Sequence, residues 1–94
     1  MLAKDKFKKA REIRYSKIMD LIDKEVENGN FYLTVQRFNQ SCIIGKHENP
    51  IYQWLTINYR WLWRTLRNEG FSIEKLSDGE RGDFIQIHFR FDDE

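Results

Sequence analysis

The chain has 94 residues, 40% hydrophobic and 15% aromatic, with one proline, one cysteine and a formal net charge of +1. That size suits one domain over residues 1–94 with one modest core, and the apolar content offsets the ordering entropy that keeps polar chains disordered. The lone Cys42 excludes an internal disulfide and a multi-cysteine metal site and points to a reducing, cytoplasmic setting. No stretch reaches the ~18 apolar residues of a membrane span or resembles a signal peptide, so neither integral membrane association nor secretion is expected.

From about Lys4 to Asn28 the pattern is helical. Tyr15, Ile18, Ile22 and Val26 form an apolar stripe, Met19 and Leu21 lie on its margins, and Phe7 and Ala10 extend it backward. The first half of this helix is strongly basic: Lys4, Lys6, Lys8, Lys9, Arg11, Arg14 and Lys17 face only Asp5 and Glu12. Its second half carries Asp20, Asp23, Glu25 and Glu27, so the charges oppose the helix dipole and packing must hold the helix. Lys4, Lys6, Lys8, Lys9 and Arg11 form an electrostatic patch suited to a polyanion, or to pairing with acidic groups within the fold or an oligomer.

Asn28-Gly29-Asn30 is a strong helix stop. Phe31 to Val35 reads as a strand with Phe31, Leu33 and Val35 on one face. The segment from Gln36 to His47 has two readings. Val35, Phe38, Cys42 and Ile43 fit helical spacing, whereas Ser41 to Ile44 could be a short extended run before Gly45.

The stretch from Pro50 to Gly70 is expected to be the second main helix, capped by Asn49, opened by Pro50 and stopped by Gly70. Tyr52, Leu55, Tyr59, Leu62 and Leu66 share its apolar stripe, and Arg60, Arg64 and Arg67 fall on the opposite side. Trp54 and Trp61 share a third flank, while Trp63 lies close to the stripe. Guanidinium groups bind carboxylates and phosphates bidentately, and indoles offer rigid, flat contact area. Trp54, Arg60, Trp61, Arg64 and Arg67 are therefore the expected contact surface for a partner. The competing account lets the tryptophans complete the core and the arginines pair with Glu69, Glu74 or the acidic end, Asp92-Asp93-Glu94.

Beyond Gly70, Phe71 and Ile73 begin an alternating run, the Ser77 to Gly82 segment reads as a turn, and Ile85, Ile87, Phe89 and Phe91 alternate with Gln86, His88 and Arg90. A β-hairpin is expected, one face core and the other wet. The sequence offers no nucleophile-elbow pattern and no glycine-rich phosphate loop, and Cys42, His47 and His88 match no zinc spacing. No catalytic residue, cofactor or metal follows from these residues.

A helix over Gln36–Lys46 would give the order helix, strand, helix, helix, strand, wing, strand, which resembles winged-helix DNA-binding proteins. That resemblance implies that the Pro50 helix enters the major groove and that the Asp78 to Gly82 tip touches the DNA backbone. The tip, however, carries Asp78 and Glu80 beside Arg81, and the start of the Pro50 helix lacks basic residues, whereas phosphate contact asks for positive charge. The favoured reading is a single small α+β domain, two main helices packed on an antiparallel sheet with a C-terminal β-hairpin.

Glu27-Asn28-Gly29 ahead of a strand, and Leu66-Arg67-Asn68-Glu69-Gly70-Phe71-Ser72-Ile73 leading to a hairpin that ends Ile85-Gln86-Ile87-His88-Phe89, resemble small accessory proteins of tailed bacteriophages. The resemblance implies a non-enzymatic role in the virion or against a host factor. The expectation is a binding module acting through protein–protein contacts, with homodimerisation because several aromatic residues compete for a small interior. The alternative is a nucleic-acid-binding protein.

Overall fold

The computed structural model describes residues 2–39, 47–56, 60–79 and 82–90. The chain runs α1 (Ala3–Glu27), β1 (Tyr32–Gln36), β2 (Phe38–Asn39), β3 (His47–Glu48), α2 (Pro50–Thr56), α3 (Arg60–Asn68), β4 (Ser72–Asp78) and β5 (Gly82–His88). It is an α+β domain whose C-terminal hairpin, β4–β5, joins β1 in an antiparallel sheet of order β1-β5-β4.

Strand β5 occupies the centre because it has the most regular alternation of large apolar residues. Its Ile85 lies between Val35 and Lys75, and its Ile87 between Leu33 and Ile73. Ile85 and Ile87 are fully buried. The same sheet face meets Ile18 and Ile22 of α1, Tyr52 and Leu55 of α2, and Leu62 and Leu66 of α3 in one core cluster. Tyr32, Thr34, Glu74, Gln86 and His88 point to the other face, where they are half-buried or exposed. The result is two layers, helices over one side of a three-stranded sheet.

Two helix ends follow the sequence signals closely. At the end of α1, Asn30 N–H bonds the Glu25 carbonyl at 2.9 Å and Gly29 N–H the Val26 carbonyl at 3.0 Å, with Gly29 at φ 79°. At the end of α3, Phe71 N–H bonds the Leu66 carbonyl at 3.1 Å and Gly70 N–H the Arg67 carbonyl at 3.0 Å, with Gly70 at φ 102°. Both are Schellman closures, which need a left-handed residue just past the last turn. Asn49 caps α2 as expected, its Oδ1 accepting the Ile51 N–H at 3.0 Å.

The Pro50–Gly70 stretch is helical in α2 and α3; residues 57–59 between them, including Tyr59, lie outside the described residues, and with them the expectation of a single unbroken helix. Its other stripe residues, Tyr52, Leu55, Leu62 and Leu66, are buried. Val26 is 55% exposed, because α1 crosses the sheet at Ile18 and Ile22 and its last turn has passed the core. Phe7 and Ala10 are likewise exposed at the other end. Phe31 is 57% exposed: it precedes β1, its carbonyl accepts the Phe89 N–H at 3.0 Å, and its ring centroid lies 5.8 Å from the Arg90 guanidinium.

The ambiguous segment is extended at its described ends. Phe38 pairs with Glu48 and Asn39 with His47, so the helix that the winged-helix order requires is not found at Gln36, Phe38 or Asn39. Residues 40–46 with Cys42, the hairpin tip at Glu80 and Arg81, and Phe91 with the acidic end lie outside the described residues.

Candidate functional site

Leu62 and Leu66 anchor α3 to the core and thereby fix which way its remaining residues point. Arg60, Arg64 and Arg67 are all exposed on the outward side. Arg64 Nε donates to the Arg60 carbonyl at a long 3.4 Å, and the Arg67 guanidinium lies 5.8 Å from the Trp63 ring centroid. Among the described residues none of the three arginines forms an ion pair, and Glu74 instead approaches His88 at 3.9 Å. Pairing of these arginines with Glu69 or Glu74, one form of the competing account, thus finds no support; the other candidate, Asp92-Asp93-Glu94, lies outside the described residues.

Trp54 and Trp61 are half-buried at the edge of the core, where α1 passes over α2 and α3. The Arg11 guanidinium sits 4.6 Å from the Trp61 ring centroid and 4.9 Å from that of Phe7. Arg14 and Lys17 approach Trp54 at 5.2 Å and 6.0 Å. Each indole therefore has a cation over its face, an attraction of roughly 0.5–2 kcal/mol depending on desolvation. Arg11, Arg14, Trp54, Trp61 and Leu62 line a depression of about 10 Å³, room for one water molecule at most.

This contact unites what the sequence presented separately. Arg11, from the basic patch, and Trp61, from the tryptophan flank, are neighbours, so the two patches are parts of one surface. Lys4 and Lys8 share the helical face of Arg11, and Lys6 and Lys9 turn away; all four are exposed and without an ion pair to any described residue. The tryptophans fall between the two accounts: they pack partly buried against the core, as the competing account has it, and share their remaining ring surface with α1 cations. The neighbouring Tyr15 phenol is pushed above its ordinary pKa by burial, with the Glu69 charge adding to the effect.

A second polar cluster was not foreseen. Arg37, just past β1, donates from Nη1 to Asp83 Oδ2 at 3.0 Å, and Ser77 Oγ donates to Asp83 Oδ1 at 2.9 Å. Arg37 N–H also bonds the Asp83 carbonyl at 3.0 Å, the Arg37 carbonyl accepts the Asn49 N–H at 2.7 Å, and Arg37 Nε lies 3.9 Å from Glu48. One arginine thereby ties β1, the start of β5 and the entry to α2. The Ser77 and Arg37 hydrogen bonds hold the Asp83 carboxyl below the usual range, against a smaller opposing effect of burial. Burial, with the Asp83 charge adding to it, raises the Tyr52 phenol. No local motif announces this cluster, since Arg37 and Asp83 are 46 residues apart.

His88 lies on the helix-free sheet face, 5.7 Å from the Tyr32 ring. Among the described residues no three of His, Cys, Asp and Glu gather to hold a metal ion, and no helix is long and apolar enough to cross a membrane. No protein-family model, curated protein or solved structure matches the chain.

Proposed function

We propose that the protein is a non-enzymatic binding module that engages a protein partner through the outward face of α3. The observation that carries this reading is the alignment of Arg60, Arg64 and Arg67, exposed and without an ion pair to any described residue. Guanidinium groups in that state can meet carboxylates bidentately without first breaking an internal salt bridge. Half-buried Trp61 and Trp63 on the same helix add rigid contact area, which favours an acidic protein surface. The resemblance to phage accessory proteins implies the setting, a virion contact or a host factor, and a sequence with a single cysteine suits action in the reducing cytoplasm.

The test is affinity capture from nuclease-treated cell extract with the native chain and with Arg60→Glu/Arg64→Glu/Arg67→Glu. A protein retained by the native chain and lost by the triple variant, whose thermal transition matches the native one, is the expected result. Retention unchanged by the triple reversal overturns the reading.

A second reading, nucleic-acid binding, is supported by the Arg11–Trp61 contact, which sets the basic half of α1 beside the arginines of α3. Its signature is binding to short DNA or RNA that falls steeply as salt rises and is lost when Lys4, Lys6, Lys8 and Lys9 are neutralised. Equal binding at low and high salt argues against it.

A further inference from the structure

We propose that the outward face of α1 is a self-association surface whose occupant is α1 of a second copy, running antiparallel. Lys6, Lys9, Ile13, Ser16, Asp20 and Asp23 recur in alternating steps of three and four residues, the spacing of a seam between two helices. All six are exposed, on the side of the helix away from buried Ile18 and Ile22. Ile13, 46% exposed, is an apolar residue left on solvent at the middle of this seam.

Charge sets both direction and register. A parallel pair would place lysine against lysine and aspartate against aspartate. An antiparallel pair with Ile13 opposite Ser16 of the second copy brings Lys9 opposite its Asp20 and Lys6 opposite its Asp23. The two-fold axis then repeats both pairs, and the contact closes at a dimer. None of these four charged side chains forms an ion pair with a described residue of its own chain. The basic-to-acidic order along α1, unfavourable for the helix dipole, is the order that makes the face complementary to itself.

The seam holds mostly solvent-facing charge pairs, each of small individual strength, so the dimer is reversible and sensitive to salt. It uses a different face from the arginines of α3 and does not depend on what they bind.

Sedimentation of the full chain at ~50 mM and ~500 mM salt tests the proposal. The expected result is a dimer whose dissociation constant rises about tenfold or more at the higher salt. Lys6→Asp/Lys9→Asp and Asp20→Lys/Asp23→Lys should each lose self-association. Their equimolar mixture should form a heterodimer, and the chain carrying all four changes should dimerise again. Every substituted position is exposed, and the helical circular dichroism of each variant reports that it has folded. A native chain that is monomeric at low salt up to ~1 mM overturns the proposal. So does a dimer whose affinity the charge reversals leave unchanged, or two folded variants that fail to pair with each other.

Discussion

Arg11 of α1 lies over Trp61 of α3, its guanidinium carbon 4.6 Å from the indole centroid, and its Nε is buried with no hydrogen-bond partner among the described residues. The side chain is thus engaged mainly through its charge and its flat face. That sets Arg11 apart from Lys4, Lys6, Lys8 and Lys9, whose charges remain in water. One member of the basic patch is part of the architecture, and the others are available for contacts.

If the guanidinium and the indole attract each other, the two residues must be energetically coupled. A double-mutant cycle of Arg11→Ala and Trp61→Ala in urea unfolding should give a coupling of about 1 kcal/mol, midway between exposed and desolvated cation–π pairs. Arg11→Met, which keeps the apolar stem, should retain part of the packing and lose the electrostatic share. Additive losses from the two alanine variants would mean that the ring and the cation merely adjoin.

Acid should weaken the tie between the sheet and α2. Asp83 titrates below its ordinary value of 3.8 in the fold, so its contribution is present above that pH and is lost as pH falls through the depressed native value. The melting temperature of the native chain should therefore fall more steeply below about pH 4 than that of Asp83→Asn, which has no such carboxylate to protonate. At neutral pH Asp83→Asn should be the less stable of the two, because it weakens the contact with Arg37. Parallel melting curves across that acid range would remove Asp83 from the account.

The elements that are legible in the sequence are those set by local rules. Gly29 and Gly70 close helices because each provides the left-handed backbone, and β5 takes the middle of the sheet because Ile85 and Ile87 alternate without interruption. Periodicity failed where the question was how far a partner layer extends. Val26 has the right phase for the core stripe and is exposed, since phase fixes direction but not whether anything stands opposite. The outward direction of Arg60, Arg64 and Arg67 was readable from helical projection alone. The Arg11–Trp61 contact and the Arg37–Asp83 tie were not, as both depend on how distant segments dock.

That distinction between phase and coverage can be measured. Leu66 is fully buried where α3 meets the sheet, so Leu66→Ala should cost about 2–5 kcal/mol from lost burial and the cavity left behind. Val26→Ala should change stability by no more than about 0.5 kcal/mol, in line with an exposed position. Comparable losses at the two positions in chemical denaturation would place Val26 under cover, and would require a partner surface over the end of α1.

Gly29 offers a test of backbone conformation separated from packing. A Cβ at this position would meet nothing within 4 Å, yet the residue holds φ 79°, which side chains of L configuration seldom adopt. Gly29→Ala should therefore destabilise the domain by about 1 kcal/mol through conformational strain alone. Gly29→Asn should cost less, because asparagine enters the left-handed region more readily. If alanine and asparagine were equally harmful, a steric clash in that turn would be the better explanation. If both were harmless, the closure joining Asn30 to Glu25 would have to form without the left-handed residue that the geometry assigns to it.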